Sequence, residues 1–448
     1  MFRAPPALAA DPAAPLLHRF RSGAGDHVLV IPYSRIFDVA GGDEETEDQF
    51  AELDLSAALL AEPADGEAPL GAIAEPAPQS ISLNVSSSCN LTCGYCYAAR
   101  GSFNGAQPAP MKWPTAQAAI DRLLSVADAG APITVGFLGG EPFVNRRLIH
   151  RAVAYAASRA ALRHLDVRFS VTTNGTLLEA ADIALLRNHP FAVTVSLDGT
   201  ADIQDWQRPR HGAGKGSWQA AVDRVAPLLA NPGKAKLAAR ATVTRHSLDI
   251  ASALDTLAAL GFPEVGFAPL RVGPADAGPL RDEDWPNYLA ALIAASRAEL
   301  ERLKQGFSIR LTNLAIALKQ LHRGASSPYP CGAGGGYFSV SAAGRWYACH
   351  RAIGNAAYEL GSNDGLDAAA RRAFVTQRHV HAQLDCRSCW ARYLCSGGCH
   401  QEASARSTAS CDFIRGWLAF CLAAYCELGG PMQAMAPSVA SLAEEVRP

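Results

Sequence analysis

Three cysteines fall within eight residues, Cys89-Asn-Leu-Thr-Cys93-Gly-Tyr95-Cys96. Thiolates this close on one short loop bind metal rather than each other. Three of them leave one iron of a four-iron cluster without a protein ligand. An open iron can take a cofactor or a substrate. A zinc loop that borrows a fourth ligand from elsewhere is the alternative, although structural zinc sites usually come as paired C-x-x-C knuckles.

The chain has 12 cysteines, and the other nine all follow position 330. They read Cys331, Gly344, Cys349, a gap, then Cys386-x-x-Cys389-x5-Cys395-x-x-x-Cys399, and Cys411. Cys421 and Cys426 sit in the apolar run WLAFCLAAYCEL and read as buried thiols. Two separate metal-binding regions follow from this distribution, and clustered cysteines point to metal rather than disulfides in a reducing compartment. Two zinc sites using His350 or His400 are the alternative for the second region.

These groups need a scaffold. From about 80 to 275, β-rich runs alternate with helical stretches: ISLNVS (81–86), ITVGFLG (133–139), VRFSVTT (167–173), FAVTVSL (191–197), KLAARATVT (236–244) and EVGFAPLRV (264–272). Near-continuous apolar strands separated by helices such as TAQAAIDRLLSVADAG and SWQAAVDRVAPLLA predict an α/β fold with a parallel sheet. Six units suit a partial (β/α)6 TIM-type barrel. Chemistry then belongs at the C-terminal ends of the strands. SSSC, GGEP, TNGT and SLDG stand there, after the first four strands in order. A helical segment over about 283–322 leads to the second cysteine region.

The spacing Cys-x-x-x-Cys-x-aromatic-Cys after a first strand, followed by Gly139-Gly140-Glu141-Pro142, resembles the radical S-adenosylmethionine (SAM) superfamily over about residues 80–275. The resemblance implies that Cys89, Cys93 and Cys96 hold a [4Fe-4S] cluster whose free iron chelates SAM. Reduction would then yield a hydrogen-abstracting 5′-deoxyadenosyl radical. It implies that Gly139, Gly140 and Glu141 meet the methionine ammonium; glycines allow close approach, and a carboxylate accepts from an ammonium. Ser196, Asp198 and Arg208 resemble positions near SAM. Arg208 suits the methionine carboxylate, with Arg210 as a competing contact. Tyr95 is expected to flank the adenine, Asn174 to shape its turn, and Asp198 is a candidate general base.

The cysteines after 330 resemble the SPASM domain of peptide-modifying radical SAM enzymes, which binds auxiliary clusters. By that resemblance Cys386, Cys389, Cys395 and Cys411 hold a distal [4Fe-4S] cluster, with Cys421 competing for the last place. Cys331, Cys349 and Cys399 hold a proximal one whose fourth ligand is open or not a cysteine. Three [4Fe-4S] clusters plus SAM are therefore expected. Such a proximal cluster could bind a substrate thiolate.

The expected domains are a small N-terminal segment (1–75) resembling a leader-peptide-recognition unit, the barrel (76–320), the SPASM-like region (321–426) and a tail (427–448). In the first, HVLVIPYSRIFDV reads as strand and DQFAELDLSAALLAE as helix. An alternative makes this segment a structural cover for the barrel's edge. A formal net charge of −2 argues against nucleic-acid or anionic-membrane binding. No run approaches the roughly 20 apolar residues of a membrane span. Pro5, Pro6, Pro12, Pro15 and Asp11 break the N-terminus and argue against a signal peptide, so a cytoplasmic location is expected.

A SPASM extension implies a peptide or protein substrate with a leader, and an external electron donor of flavodoxin or ferredoxin type. Within that group the motifs CNLTCGYCYAARGSF and CWARYLCSGGCHQE…SCDFIRGWL look most like crosslinking maturases. The nearest likeness is to the quinohemoprotein amine dehydrogenase maturase, which joins cysteine sulfur to an Asp or Glu side-chain carbon. Carbon–carbon (cyclophane) crosslinking, formylglycine formation in a sulfatase, and a non-catalytic zinc scaffold are the alternatives.

Overall fold

The computed structural model describes residues 14–39 and 76–429, apart from short stretches at 102, 104–108, 129, 213–215 and 325. The expected helix DQFAELDLSAALLAE, most of the linker after it and nearly all of the tail lie outside the described residues.

Six parallel strands form the centre: β4 (Ser80–Ser86), β5 (Ile133–Gly139), β6 (Val167–Thr173), β7 (Phe191–Ser196), β8 (Lys236–Val243) and β9 (Glu264–Pro269). They lie side by side in chain order. These are the six runs expected from the sequence. The last stops at Pro269 rather than 272, and the Leu270 amide makes the final bond to β8, at the Val243 carbonyl (2.8 Å).

Helices return the chain between strands. In α1 (Trp113–Val126), Ala116, Ala119, Ile120 and Leu123 fall at i, i+3, i+4 and i+7 and are fully buried, which is the stripe that docks a helix on a sheet. Phe137, Phe169 and Phe191 add a ladder of rings on neighbouring strands, with centroids 5.2 Å apart between Phe169 and Phe191. β4 is buried on both faces, whereas β8 alternates, with Leu237, Ala239, Ala241 and Val243 packed away and the intervening residues less covered. One side of the curved sheet therefore keeps an open inner face. The architecture is a partial (β/α)6 barrel.

The barrel's sheet continues beyond residue 321. β10 (Tyr337–Val340) pairs parallel with β4, and β11 (Arg345–Tyr347), β12 (Glu359–Ser362) and β13 (Gly365–Leu366) follow it antiparallel, giving ten strands in one sheet. At the other edge β9 gains only an isolated bridge from Val265 to Leu311, so the barrel does not close.

The N-terminal strands β1 (Leu17–Ser22), β2 (Gly25–Val30) and β3 (Arg35–Val39) form a separate antiparallel sheet. It packs against the C-terminal helix (Thr408–Leu428) and the second cysteine region rather than along the barrel edge. His18 stacks on Trp390 with ring centroids 3.8 Å apart, and Arg392 donates to the Pro15 carbonyl (2.8 Å). Among the described residues no helix is long and apolar enough to cross a membrane.

Candidate active site

The Cys89–Cys96 loop leaves the C-terminal end of β4 and is tied down by the chain after β7. Leu91 and Arg210 form an antiparallel bridge, the Thr92 amide donates to the Pro209 carbonyl (2.8 Å), and His211 contacts the Cys89 carbonyl (3.3 Å). Arg210, the competing contact for SAM, thus supports the loop through its backbone. The Leu91 amide donates to Cys89 Sγ (3.4 Å), and Asn174 Nδ2 lies 3.9 Å from the same sulfur while donating to Asn90 Oδ1 (2.9 Å). Asn174 shapes its turn as expected, since its Oδ1 accepts from the Thr176 amide (3.0 Å).

Burial raises the Cys89 thiol to about 11 and Cys93 to about 12. Cys96 lies near enough to add to both rises, and Arg208 opposes them. A half-buried thiol trio with N–H donors on Cys89 and a nearby guanidinium suits iron bound as thiolate. Among the described residues no three His, Cys, Asp or Glu side chains close on a single-ion cage. A cuboidal cluster needs its sulfur ligands farther apart than the about 3.8 Å of tetrahedral zinc.

The glycines of GGEP serve a close backbone approach, though to protein. A Cβ at Gly139 would stand 2.3 Å from the Ser86 carbonyl oxygen, and one at Gly140 would stand 2.4 Å from that of Ser88. Gly139 also has φ +155°, which disfavours a side chain. The tight crossing lets the Gly140 amide donate to Ser86 (2.8 Å) and the Glu141 amide to Ser88 (2.9 Å), which fixes the strand end against the cysteine loop. Glu141 is buried. Its carboxylate accepts from Thr173 Oγ1 (2.7 Å) and from the amides of Asn174 (2.7 Å) and Phe143 (3.2 Å). Burial nevertheless lifts the carboxyl to about 7.

Asp198, expected as a candidate general base, sits among donors. A general base must offer a lone pair to substrate, but the Asp198 side chain is fully enclosed and its oxygens are taken. Tyr95 (2.5 Å), Gln207 (2.8 Å) and Arg208 (2.9 Å) donate to Oδ2, and the Thr242 amide donates to Oδ1 (2.8 Å). Asp198 therefore orients Arg208 and Tyr95, and Arg208 lies 5.2 Å over the Tyr95 ring. Ser196 ends β7 beside Arg240 of β8. The structure brings Tyr95, Asp198 and Arg208 into one cluster near Cys93, while Glu141 lies near enough to Cys89 to raise its pKa.

The later cysteines gather into two sets. Beyond burial, Cys331 and Cys399 add to the rise of Cys349, which reaches about 11, and Cys399 also adds to that of Cys331. Cys386, Cys389 and Cys411 likewise add to the rise of Cys395, about 11. Cys421 is fully buried in the C-terminal helix, and burial alone raises its thiol. Each set has arginines on sulfur: Arg351 Nη1 is 3.7 Å from Cys399, and Arg406 Nη1 is 2.7 Å from Cys386. Both candidate histidines have Nδ1 engaged. His400 Nδ1 accepts from Arg378 (2.7 Å), which leaves the proton of the neutral ring on Nε2. His350 Nδ1 is 3.0 Å from the Tyr337 hydroxyl, and burial lowers its pKa to about 4.

A cavity of about 520 Å³ runs from the inner face of β8 and β9 to the distal cysteines, and Arg240, Arg271, Arg351 and Glu402 line it. Glu402 is shared by Arg351 (2.7 Å) and Arg271 (3.3 Å). Tyr97, 47% exposed, stands edge-on to His350 (5.8 Å) and 5.4 Å from the Arg351 guanidinium, bridging the first cysteine loop and the proximal set. The sequence reading passed over these residues. Arg240 carried a signal: it is an arginine in the middle of the strand, flanked by Ala238, Ala239 and Ala241. Tyr97, Arg271 and Glu402 carried none.

Residues 83–231 match the sequence profile of the Radical SAM superfamily. The serine-type anaerobic sulfatase-maturating enzyme of Klebsiella aerogenes is 26% identical over 351 residues, covering 74% of this chain and 82% of that protein. In fold, the chain is similar to native anSMEcpe with bound AdoMet (TM-score 0.64, 18% identity, 82% of this chain and 100% of the other). It is also similar to Streptococcus suis SuiB bound to its precursor peptide SuiA (TM-score 0.52, 14% identity, 88% and 96%).

Proposed function

We propose that this chain is a radical SAM peptide maturase that installs crosslinks in a ribosomal peptide or protein subunit. The favoured link is a thioether from cysteine sulfur to an Asp or Glu side-chain carbon. The observation that carries this reading is the three-thiol set Cys331, Cys349 and Cys399, whose Cys399 lines an arginine-rich cavity. Three thiolates would leave a fourth coordination place for a substrate sulfur, and guanidinium groups suit acidic residues.

The radical SAM assignment carries a [4Fe-4S] cluster and SAM, which when bound and reduced supply a radical able to abstract an unactivated hydrogen. Cys89, Cys93 and Cys96 would hold the cluster, Glu141 the methionine ammonium and Arg208 the carboxylate. Asp198 occupies Arg208 Nε and so would present the other guanidinium nitrogens in one orientation. The two later sets would hold auxiliary clusters, for three in all. An external reductant of flavodoxin or ferredoxin type and a leader on the substrate complete the proposal, with domains divided near residues 75, 320 and 426.

A second reading, formylglycine formation in a sulfatase, is supported by the identity to the Klebsiella enzyme across most of both chains. Mass spectrometry of substrate treated anaerobically with enzyme, SAM and reductant separates the two. A single-bond crosslink removes two hydrogens and keeps sulfur. Formylglycine made from cysteine loses sulfur, and a serine-derived product loses two hydrogens without linking residues, so fragmentation across the candidate ring decides. An unlinked aldehyde product would overturn the crosslinking reading.

A further inference from the structure

The cavity between barrel and cysteine sets is strongly basic, and most of its charge is already employed. Arg271 and Arg351 share Glu402. Arg351, Arg406 and Arg415 each engage a thiol, at Cys399, Cys386 and Cys389 respectively. Arg392 donates to the carbonyls of Cys389 and Pro15. Arg240 is different. Among the described residues no carboxylate lies within ion-pairing distance of its guanidinium, and no hydrogen bond engages its side chain.

Its placement follows from the strand. In register, Arg240 lies between Ser196 of β7 and Gly266 of β9. A Cβ at Gly266 would stand 2.6 Å from Thr312 Oγ1 and in ordinary contact, 4.0 Å, with Arg240 Nη1, so the guanidinium lies over the glycine's inner face. Arg240 thus stands on the inner wall, on the path from the SAM-side strand ends to the auxiliary cysteines. Its side chain is exposed to the cavity; the surrounding protein and then Arg351 lower its pKa, against a partial rise from Tyr288 and, beyond ion-pairing distance, Glu402. A guanidinium stays charged in proteins, and one kept charged in such a place gains by acquiring an anion.

We propose that Arg240 is a substrate-positioning residue that binds a carboxylate of the peptide entering this cavity. The inference rests on the reading of the chain as a peptide-modifying enzyme. The carboxylate is either an acidic side chain or the peptide's C-terminus. The planar fork would hold it by two parallel N–H···O bonds and so fix the residue's orientation as well as its presence.

Saturation-transfer NMR on the iron-reconstituted full chain tests this with three probes: N-acetyl-aspartyl amide, N-acetyl-asparagine with a free C-terminus, and N-acetyl-asparagine amide. At least one carboxylate probe should bind about tenfold more tightly than the uncharged one, the size expected of a charge-assisted pair. The aspartyl amide binding alone assigns a side-chain carboxylate, the free C-terminus binding alone assigns a terminus, and both binding assigns the carboxylate itself. Arg240→Gln should erase the preference, and Arg240→Lys should keep part of it, with iron content and melting checked for both. Equal binding of all three probes by the wild type, or binding by none, overturns the proposal without reference to any variant. So does an undiminished preference in Arg240→Gln. A separate assay for 5′-deoxyadenosine in the wild type decides the enzymatic reading, so the two failures are distinguishable.

Discussion

At the scale of single residues, the site turns on how burial treats two acids. Glu141 is enclosed and its carboxyl is lifted to about 7 despite three donors. The folded chain therefore keeps that proton over a range where the unfolded chain has released it. Glu141's contribution to stability is full below the unfolded value near 4.5 and is lost as pH rises through about 7. An ammonium partner reverses the preference, since only the carboxylate accepts from it. SAM affinity should thus rise by up to about tenfold per pH unit below 7 and flatten above it. Equilibrium dialysis from pH 6 to 8 checks this, and a flat profile in the wild type, matching Glu141→Gln, would count against the role. Asp198 is a brace: Tyr95, Gln207 and Arg208 donate to its Oδ2 and the Thr242 amide to its Oδ1. Asp198→Ala strands a buried guanidinium, a loss on the order of 3–5 kcal/mol, and should lower both melting temperature and SAM affinity. A variant with wild-type affinity would show that Arg208 needs no such support. The sequence marked both acids by their place at strand ends, but it could not separate a reactive carboxylate from a bracing one. That difference lies in Tyr95 and Thr242, which reach Asp198 from other elements.

Elements explain why the cysteine loop sits where it does. Its shape depends on the end of β5, where Gly139 and Gly140 let two backbones cross closer than any Cβ permits. Gly140→Ala would set a methyl 2.4 Å from the Ser88 oxygen and displace the loop, at a cost on the order of 3 kcal/mol. Iron retention after anaerobic reconstitution should fall markedly; full retention would mean that the crossing can relax without disturbing the thiols. The six parallel strands were legible because each is a short β-rich run bounded by helix patterns, and local periodicity is enough to find them. The pairing of β10 with β4 was not. It joins residues more than 250 positions apart, and nothing in Tyr337–Val340 names its partner. The same limit hid the docking of β1 against the C-terminal helix and of His18 on Trp390.

For the whole molecule, the two later cysteine sets lie on either side of Arg378, whose charge is felt by both Cys399 and Cys386. The division of cysteines is testable by counting iron. If three cuboidal clusters are bound, the wild type holds about twelve irons. Cys411→Ala should lose about four of them, whereas Cys421→Ala should lose none, because Cys421 is packed in the helix away from both sets. The reverse pattern would reassign the distal cluster. The central claim is that Cys89, Cys93 and Cys96 support SAM cleavage. Its most direct test is chromatographic measurement of 5′-deoxyadenosine after anaerobic incubation of reconstituted protein with SAM and dithionite. The wild type should form it and Cys89→Ala should not. Undiminished 5′-deoxyadenosine from Cys89→Ala, or none from an iron-replete wild type, would contradict the account.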